Sequence, residues 1–329
     1  MGEATMATDG GTNGMVAMVF PGQGSQFVGM GRELIAASAA AREAFAEADE
    51  ILGFGLTALC LDGPAEALED THNAQPAILT VGVATLRAIR ERAAGAGREI
   101  EPVVVAGHSL GEFTALVASD ALDFADALRL VRERGRLMRQ AGQRSPGGMA
   151  AVIGLDDEVL AAVCAEAGSE GVIAIANANC PGQTVISGEV PALLRAMDLA
   201  KERGAKRVAR LNVSIASHSP LMAEASAALG EVVAATPMRS PRMPVIANVT
   251  ARPMTTPEEI RGDLRQQMER PVRWTDSVRT MAAMGASTVI ESGPGQVLSG
   301  LVKRIDRDLT TLSPGDLGLD LPTERPTRA

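Results

Sequence analysis

Residues 102–112 read Pro102-Val103-Val104-Val105-Ala106-Gly107-His108-Ser109-Leu110-Gly111-Glu112. The run 102–106 is apolar throughout, which suits a central parallel strand covered on both faces. Residues 107–111 spell G-x-S-x-G, and a helical pattern follows at 112–118, so strand, tight turn and helix succeed one another. In such a turn the flanking positions have no room for a Cβ, which is why glycine stands on either side of Ser109. The turn thrusts the hydroxyl out at the C-terminal edge of a sheet. The first amides of the next helix lie beside it, and their field favours developing negative charge. Ser109 is the candidate nucleophile, and a parallel α/β sheet is the expected frame.

Outward from this turn, 15–20 is a short apolar strand stopped by Pro21-Gly22. Helical patterns cover 32–52, 76–94 and 124–141; the last has apolar positions at 127, 130, 131, 137 and 138. After Gly147-Gly148 the pattern changes. Strands are expected at 149–153, 172–176, 184–187 and 207–213, with helices at 156–167 and 190–203. That β-α-β-β-α-β order, over about 65 residues, is the ferredoxin-like pattern. Helices at 219–235, 257–269, 274–284 and 297–305, with strands at 244–249 and 287–291, resume the α/β alternation of the first 146 residues. The expected organisation is a large α/β domain from 15–146 and 214–308, interrupted by a ferredoxin-like subdomain at 147–213. Residues 1–14 read as a disordered lead and 309–329 as a loose tail.

Composition removes several functions. The chain of 329 residues carries 31 Lys+Arg against 40 Asp+Glu, a net charge of −9, with six Phe, one Trp and no Tyr. An acidic protein with so few stacking rings is a poor match for nucleic acid, which needs clustered cations and aromatic platforms. No apolar run approaches the roughly 20 residues that cross a bilayer. Residues 1–14 lack the basic start and apolar stretch of a signal peptide. Cys60, Cys164 and Cys180 give neither a disulfide framework nor a zinc spacing. A cytoplasmic protein is expected, with no membrane or nucleic-acid partner.

A serine at neutral pH needs a base. The histidines are His72, His108 and His218. His108 adjoins the serine inside the turn, where its side chain should point elsewhere, and His72 lies in a polar stretch suited to the surface. His218 stands at the end of the apolar run 215–216, read as a strand end on the serine's edge of the sheet, and is the base by elimination. Its orienting partner stays open, because no acid between the turn and His218 stands out. The second tight turn, Phe20-Pro21-Gly22-Gln23-Gly24-Ser25-Gln26, lacks the third glycine of a dinucleotide site. Its amides are candidates to complete an oxyanion hole with the amide of Leu110. No phosphate-binding loop or HExxH helix occurs.

Six stretches in one order carry a family resemblance: Phe20-Pro-Gly-Gln-Gly-Ser-Gln26, Gly107-His-Ser-Leu-Gly-Glu112, Arg132-Glu-Arg-Gly135, Asn179-Cys-Pro-Gly-Gln183 with Val185-Ile-Ser-Gly188, Ser217-His218, and Glu291-Ser-Gly-Pro-Gly295. Over residues 15 to 308 the chain resembles the malonyl-CoA:acyl carrier protein transacylases of fatty acid synthesis and the acyltransferase domains of polyketide synthases. The resemblance implies an α/β-hydrolase-like large domain with a ferredoxin-like insert. It implies that Ser109 is acylated, that His218 is the base, and that the Gln23 and Leu110 amides hold the oxyanion. It further implies that Arg134 grips the free carboxylate of malonate and that the main-chain carbonyl of Gln267 orients His218. Malonyl-CoA would be the donor and an acyl carrier protein the acceptor, with neither metal nor bound cofactor and no need for more than a monomer. Ser217, before the histidine, departs from the Phe-His form of many malonyl-selective members and leaves room for a methylmalonyl branch. A thioesterase or lipase would share the turn and His218, with water as acceptor; a noncatalytic synthase scaffold is the remaining alternative. For docking an acidic carrier, the candidate bases are Lys201, Arg203, Lys206, Arg207 and Arg210, with Lys303, Arg304 and Arg307.

Overall fold

A computed structural model describes residues 15–318. Its strands are β1 (Met15–Phe20), β2 (Val104–Gly107), β3 (Gly147–Ile153), β4 (Ile173–Cys180), β5 (Gln183–Glu189), β6 (Arg207–Arg210), β7 (Val245–Ile246), β8 (Pro253–Met254), β9 (Ala286–Glu291) and β10 (Thr310–Leu312). Six of them form one sheet in the order β10-β9-β1-β2-β7-β8. All neighbours in it are parallel except β7 and β8. The unbroken apolar character of β1 and β2 has a simple cause: alternate side chains feed two cores. Met18, Phe20 and Val105 pack in one. Ala17, Val19, Val104 and Ala106 pack in the other, with Trp274, Val278 and Leu298. Each large apolar side chain so buried contributes about 1.5–3 kcal/mol.

The other four strands form an antiparallel sheet ordered β4-β5-β3-β6. Helices Asp157–Ala167 and Val190–Glu202 cover one face, setting Leu160, Val163, Leu193 and Leu199 against Ala150, Val152 and Ile186. This is the ferredoxin-like subdomain of a mixed α/β fold. Its opposite face carries Met149, Ala176 and Val185, packed with Leu211 and Val213. The edge strand β4 reaches the large sheet's side of the molecule. Asn177 bridges Val272, Ala178 N donates to Val272 O (3.0 Å), and Val272 N donates to Ala176 O (2.9 Å).

Several elements differ from expectation. β4 runs on to Cys180 through two bulges, leaving only Pro181 and Gly182 as the turn to β5. The helical stretch 32–52 divides into Arg32–Ala37 and Ala39–Leu52, because Ser38 is extended and its side chain caps Ala41 N. The strand expected at 207–213 ends at Arg210, and that at 244–249 is only Val245–Ile246. The loose tail expected from 309 is ordered at its start. Leu309 is buried, and β10 lies parallel to β9 with Leu312 opposite Ile290. Residues 1–14 and 319–329 lie outside the described residues. Among the described residues no helix is long and apolar enough to cross a membrane.

Candidate active site

β2 ends in the predicted turn, which closes on backbone. A Cβ on Gly107 would fall 1.9 Å from Gly111 C, and one on Gly111 would fall 2.0 Å from Phe20 O. Ser109 is held at φ +52°, a left-handed conformation that strains any residue with a side chain. Amides on both sides retain it there. Asn248 Oδ1 accepts from Ser109 N (2.7 Å), and Asn248 Nδ2 donates to Gly107 O (2.7 Å). Gln267 Nε2 donates to Ser109 O (3.0 Å).

His218 meets the serine, although not from a strand. Residues 211–218 form no strand, and His218 sits in a turn at φ +59° with its N–H donating to Met268 O (2.8 Å). Its Nε2 is 2.8 Å from Ser109 Oγ. Its Nδ1 faces the main-chain carbonyls of Gln267 (2.8 Å) and Arg270 (3.0 Å). Carbonyl oxygens only accept, so the proton belongs on Nδ1, and Nε2 is left with a lone pair for the serine proton. Burial, reinforced by the nearby Arg134 charge, lowers His218 from 6.5 to about 3, so the ring is neutral over the working pH range. The orienting partner is thus a pair of carbonyls rather than an acid.

Helix Phe124–Arg144 turns its apolar face inward, and Arg134 lies on that face, only 1 % exposed. The other arginines of this helix behave differently. Arg132 stacks on Phe54, Arg136 pairs with Glu133, and Arg139 with Asp70. Arg134 Nη1 donates to Gln75 Oε1 (2.9 Å), while Nη2 donates to Gln267 Oε1 (3.0 Å) and Ser109 Oγ (3.1 Å). Its Nε finds no partner among the described residues. Burial lowers the guanidinium to about 10, still high enough to leave it a cation at neutral pH. A buried cation held by neutral groups beside a nucleophile is a seat for an anion.

These groups open onto a cleft of about 540 Å³ lined by Gln23, Ser109, Arg134, Ser217 and His218 on one side, and by Met149, Asn177 and Leu211 on the other. Gln23 lies on the loop after β1, its side-chain carbonyl accepting from Thr71 Oγ1 (2.8 Å). That loop is tied to the turn by His108 N donating to Phe20 O (3.0 Å). Leu110 immediately precedes helix Gly111–Ala118, so its amide is among the first-turn donors that a helix leaves open. His108 points away from the serine, as expected, and its Nε2 lies 2.9 Å from Asn179 Oδ1. His72 is partly buried in the first turn of helix Thr71–Gly95.

Sequence reasoning misses Gln75, Asn248, Glu112 and Asp263, which support these groups from behind. Glu112 alone carries a signal, as the one charged residue in the mostly apolar stretch 111–118, whereas Gln75 merely follows the polar run 71–73. Of the basic candidates, Lys201 and Arg203 are already paired with Asp198 and Glu166. Lys206, Arg207 and Arg210 are exposed or nearly so, and Arg304 Nη1 donates to Gln183 Oε1 (2.6 Å). Among the described residues no group of three His, Cys, Asp or Glu side chains is arranged to hold a metal.

A serine hydroxyl bonded to a neutral imidazole, on a strand-to-helix turn of an α/β fold, defines an enzyme class that moves acyl groups through a covalent serine ester. The family model of the acyl transferase domain matches residues 17–311, and the chain belongs to that family. It is similar to the malonyl CoA-acyl carrier protein transacylase of Bacillus subtilis (strain 168), at 46 % identity over 302 residues, covering 92 % of this chain and 93 % of that protein. Among solved structures, the acyl carrier protein S-malonyltransferase from Vibrio cholerae aligns with a TM-score of 0.85 at 46 % identity, over 91 % of this chain and 96 % of that one. A malonyl-transacylase in complex with its type II polyketide acyl-carrier protein aligns with a TM-score of 0.89 at 41 % identity, over 93 % and 99 %.

Proposed function

We propose that this chain transfers a malonyl group from malonyl-CoA to the phosphopantetheine thiol of an acyl carrier protein, in fatty acid or polyketide assembly, through an ester on Ser109. The observation that carries it is Arg134, a buried guanidinium with no carboxylate partner among the described residues, directed at the nucleophile. A neutral acyl donor gives it nothing to bind; the free carboxylate of malonate matches its planar fork.

In the first half-reaction His218 Nε2 takes the Ser109 proton as Oγ attacks the thioester carbonyl. The resulting oxyanion is held by the amides of Gln23 and Leu110, each such donor lowering the barrier by about 3 kcal/mol. The imidazolium formed is stabilised through Nδ1 by the Gln267 and Arg270 carbonyls and gives its proton to the departing thiolate of coenzyme A. The carrier thiol then enters, His218 takes its proton, and the steps reverse. Ser217 lines the cleft beside the acyl group. The chemistry runs on side chains and main chain alone, with no resident cofactor. A single copy of the chain supplies every residue, and three free cysteines accord with a reducing cytoplasm.

Intact-protein mass spectrometry after incubation with malonyl-, methylmalonyl- and acetyl-CoA tests this. The malonyl adduct forms on the native protein in preference to the others and is absent from Ser109→Ala. An adduct persisting in that variant refutes the nucleophile, and a methylmalonyl preference refutes the donor.

A further inference from the structure

Beneath the nucleophile turn, outside the cleft lining, two acids are buried together. Glu112 stands in the first turn of helix Gly111–Ala118 and is 0 % exposed; Asp263, near the end of helix Pro257–Leu264, is 5 % exposed. Their hydrogen-bond donors are neutral amides. Glu112 Oε1 accepts from Asn248 N (3.2 Å), and Oε2 accepts from Gln267 Nε2. Asp263 Oδ1 accepts from Val249 N (3.2 Å), whereas Oδ2 finds no donor among the described residues. The donors Asn248 N and Val249 N are adjacent on the chain, which sets the two carboxyls beside each other, and Glu112 is the carboxyl that faces Asp263. Two carboxylates in contact away from water do not both ionise, and one retained proton supplies the missing donor. Burial and the facing Asp263 push Glu112 well above the usual carboxylate range, and burial raises Asp263 as well. Glu112 is the more deeply buried of the two, and burial favours the neutral form there.

The two amides that touch Glu112 are those that hold the site. Asn248 grips Ser109 N and Gly107 O. The Gln267 amide has one workable orientation, with Nε2 donating to Ser109 O and Glu112, and Oε1 accepting from Arg134 Nη2. Other titratable groups around this network are Arg134, on helix Phe124–Arg144, and His218, in its turn.

We propose that Glu112 and Asp263 share one proton and act as positioning residues for acyl transfer. A neutral Glu112 fixes the amides of Asn248 and Gln267, and the remaining negative charge rests on Asp263 rather than on the acid one amide away from Arg134. An ionised Glu112 would compete with the donor's carboxylate for the guanidinium, a consequence that depends on the malonyl assignment above.

Two readouts test the pair. Infrared spectra at neutral pH show the C=O stretch of a protonated carboxylic acid in the native protein and not in Glu112→Gln, whatever acyl group the enzyme takes. An unchanged spectrum in that variant overturns the shared proton. Kinetically, Asp263→Asn donates to Glu112 and lets it ionise, which raises the KM for malonyl-CoA about fivefold or more while acetyl transfer changes less than about twofold. Glu112→Gln keeps a neutral donor and acceptor in place and retains about a third or more of kcat, where Glu112→Ala loses about tenfold or more. Equal losses for malonyl and acetyl donors in Asp263→Asn, or an equal collapse of Glu112→Gln and Glu112→Ala, reduce the pair to packing and overturn the positioning role. Absence of malonyl loading in the native protein would sink the malonyl assignment and leave the infrared result to decide the pair.

Discussion

The six-stranded sheet buries β1 and β2 on both faces, whereas the four-stranded sheet packs two helices on one face and turns Met149 and its neighbours toward the cleft. The reacting groups follow the same division. Ser109, Arg134, His218 and Gln267 all belong to chain segments around the large sheet, while the small subdomain supplies wall residues such as Met149, Asn177 and Leu211. Dry, doubly covered structure fixes a strained serine and perturbs its neighbours. A singly covered sheet offers a surface that an acceptor can approach.

The sharpest break of this division is at Arg134. Arg134→Ala should lower kcat/KM for malonyl-CoA about 100-fold or more, with a far smaller loss for acetyl-CoA, because only the former presents a carboxylate. Parallel losses for the two donors, measured by Ser109 acylation, would place Arg134 in the scaffold instead.

A second test concerns the dry side. The folded value of His218, about 3, lies below its usual 6.5, so the unfolded chain binds this proton more readily. Its contribution to stability is complete above 6.5 and is lost as pH falls from 6.5 toward 3. Acylation at pH 5 should stay within about twofold of that at pH 7, where an ordinary imidazole would lose about 25-fold. The same profile in Arg134→Ala should show its acid limb moved upward, since the guanidinium is one cause of the depression. An acid limb near 6.5 in the native enzyme contradicts the burial argument.

The smallest expected effect lies on the wet side. Reversing charge at exposed Lys206 and Arg207 should raise the KM for carrier protein about fivefold and leave that for malonyl-CoA unchanged. If both Michaelis constants hold steady, the carrier docks elsewhere.

The serine is legible in the sequence because its turn is built from local rules: an apolar strand, two glycines that cannot carry a Cβ, then a helix. His218 follows by elimination, but its setting does not. The run 215–216 looks like a strand end, yet the chain there is irregular and the ring is aimed by carbonyls 49 and 52 residues further on. Arg134 is partly visible, since it continues the apolar stripe 127, 130, 131, 137 and 138 as the one charged position on it. Only the resemblance selects it. Asn248 and Asp263 are hidden because their roles come from long-range packing around Ser109 and Glu112. β10 escapes for a related reason: three residues pair on one side only, so Leu309 and Leu312 hold them by tertiary contact that no local pattern records.

The imidazole's anchor is main chain, and this places it beyond the reach of ordinary mutation. Any amino acid at 267 or 270 brings the same C=O, so a saturation screen at those positions would vary everything about them except the tautomer they impose. Selection can therefore retune the Gln267 amide, and with it the Arg134 seat, without disarming the base. An enzyme anchored on a carboxylate side chain has no such freedom at that position.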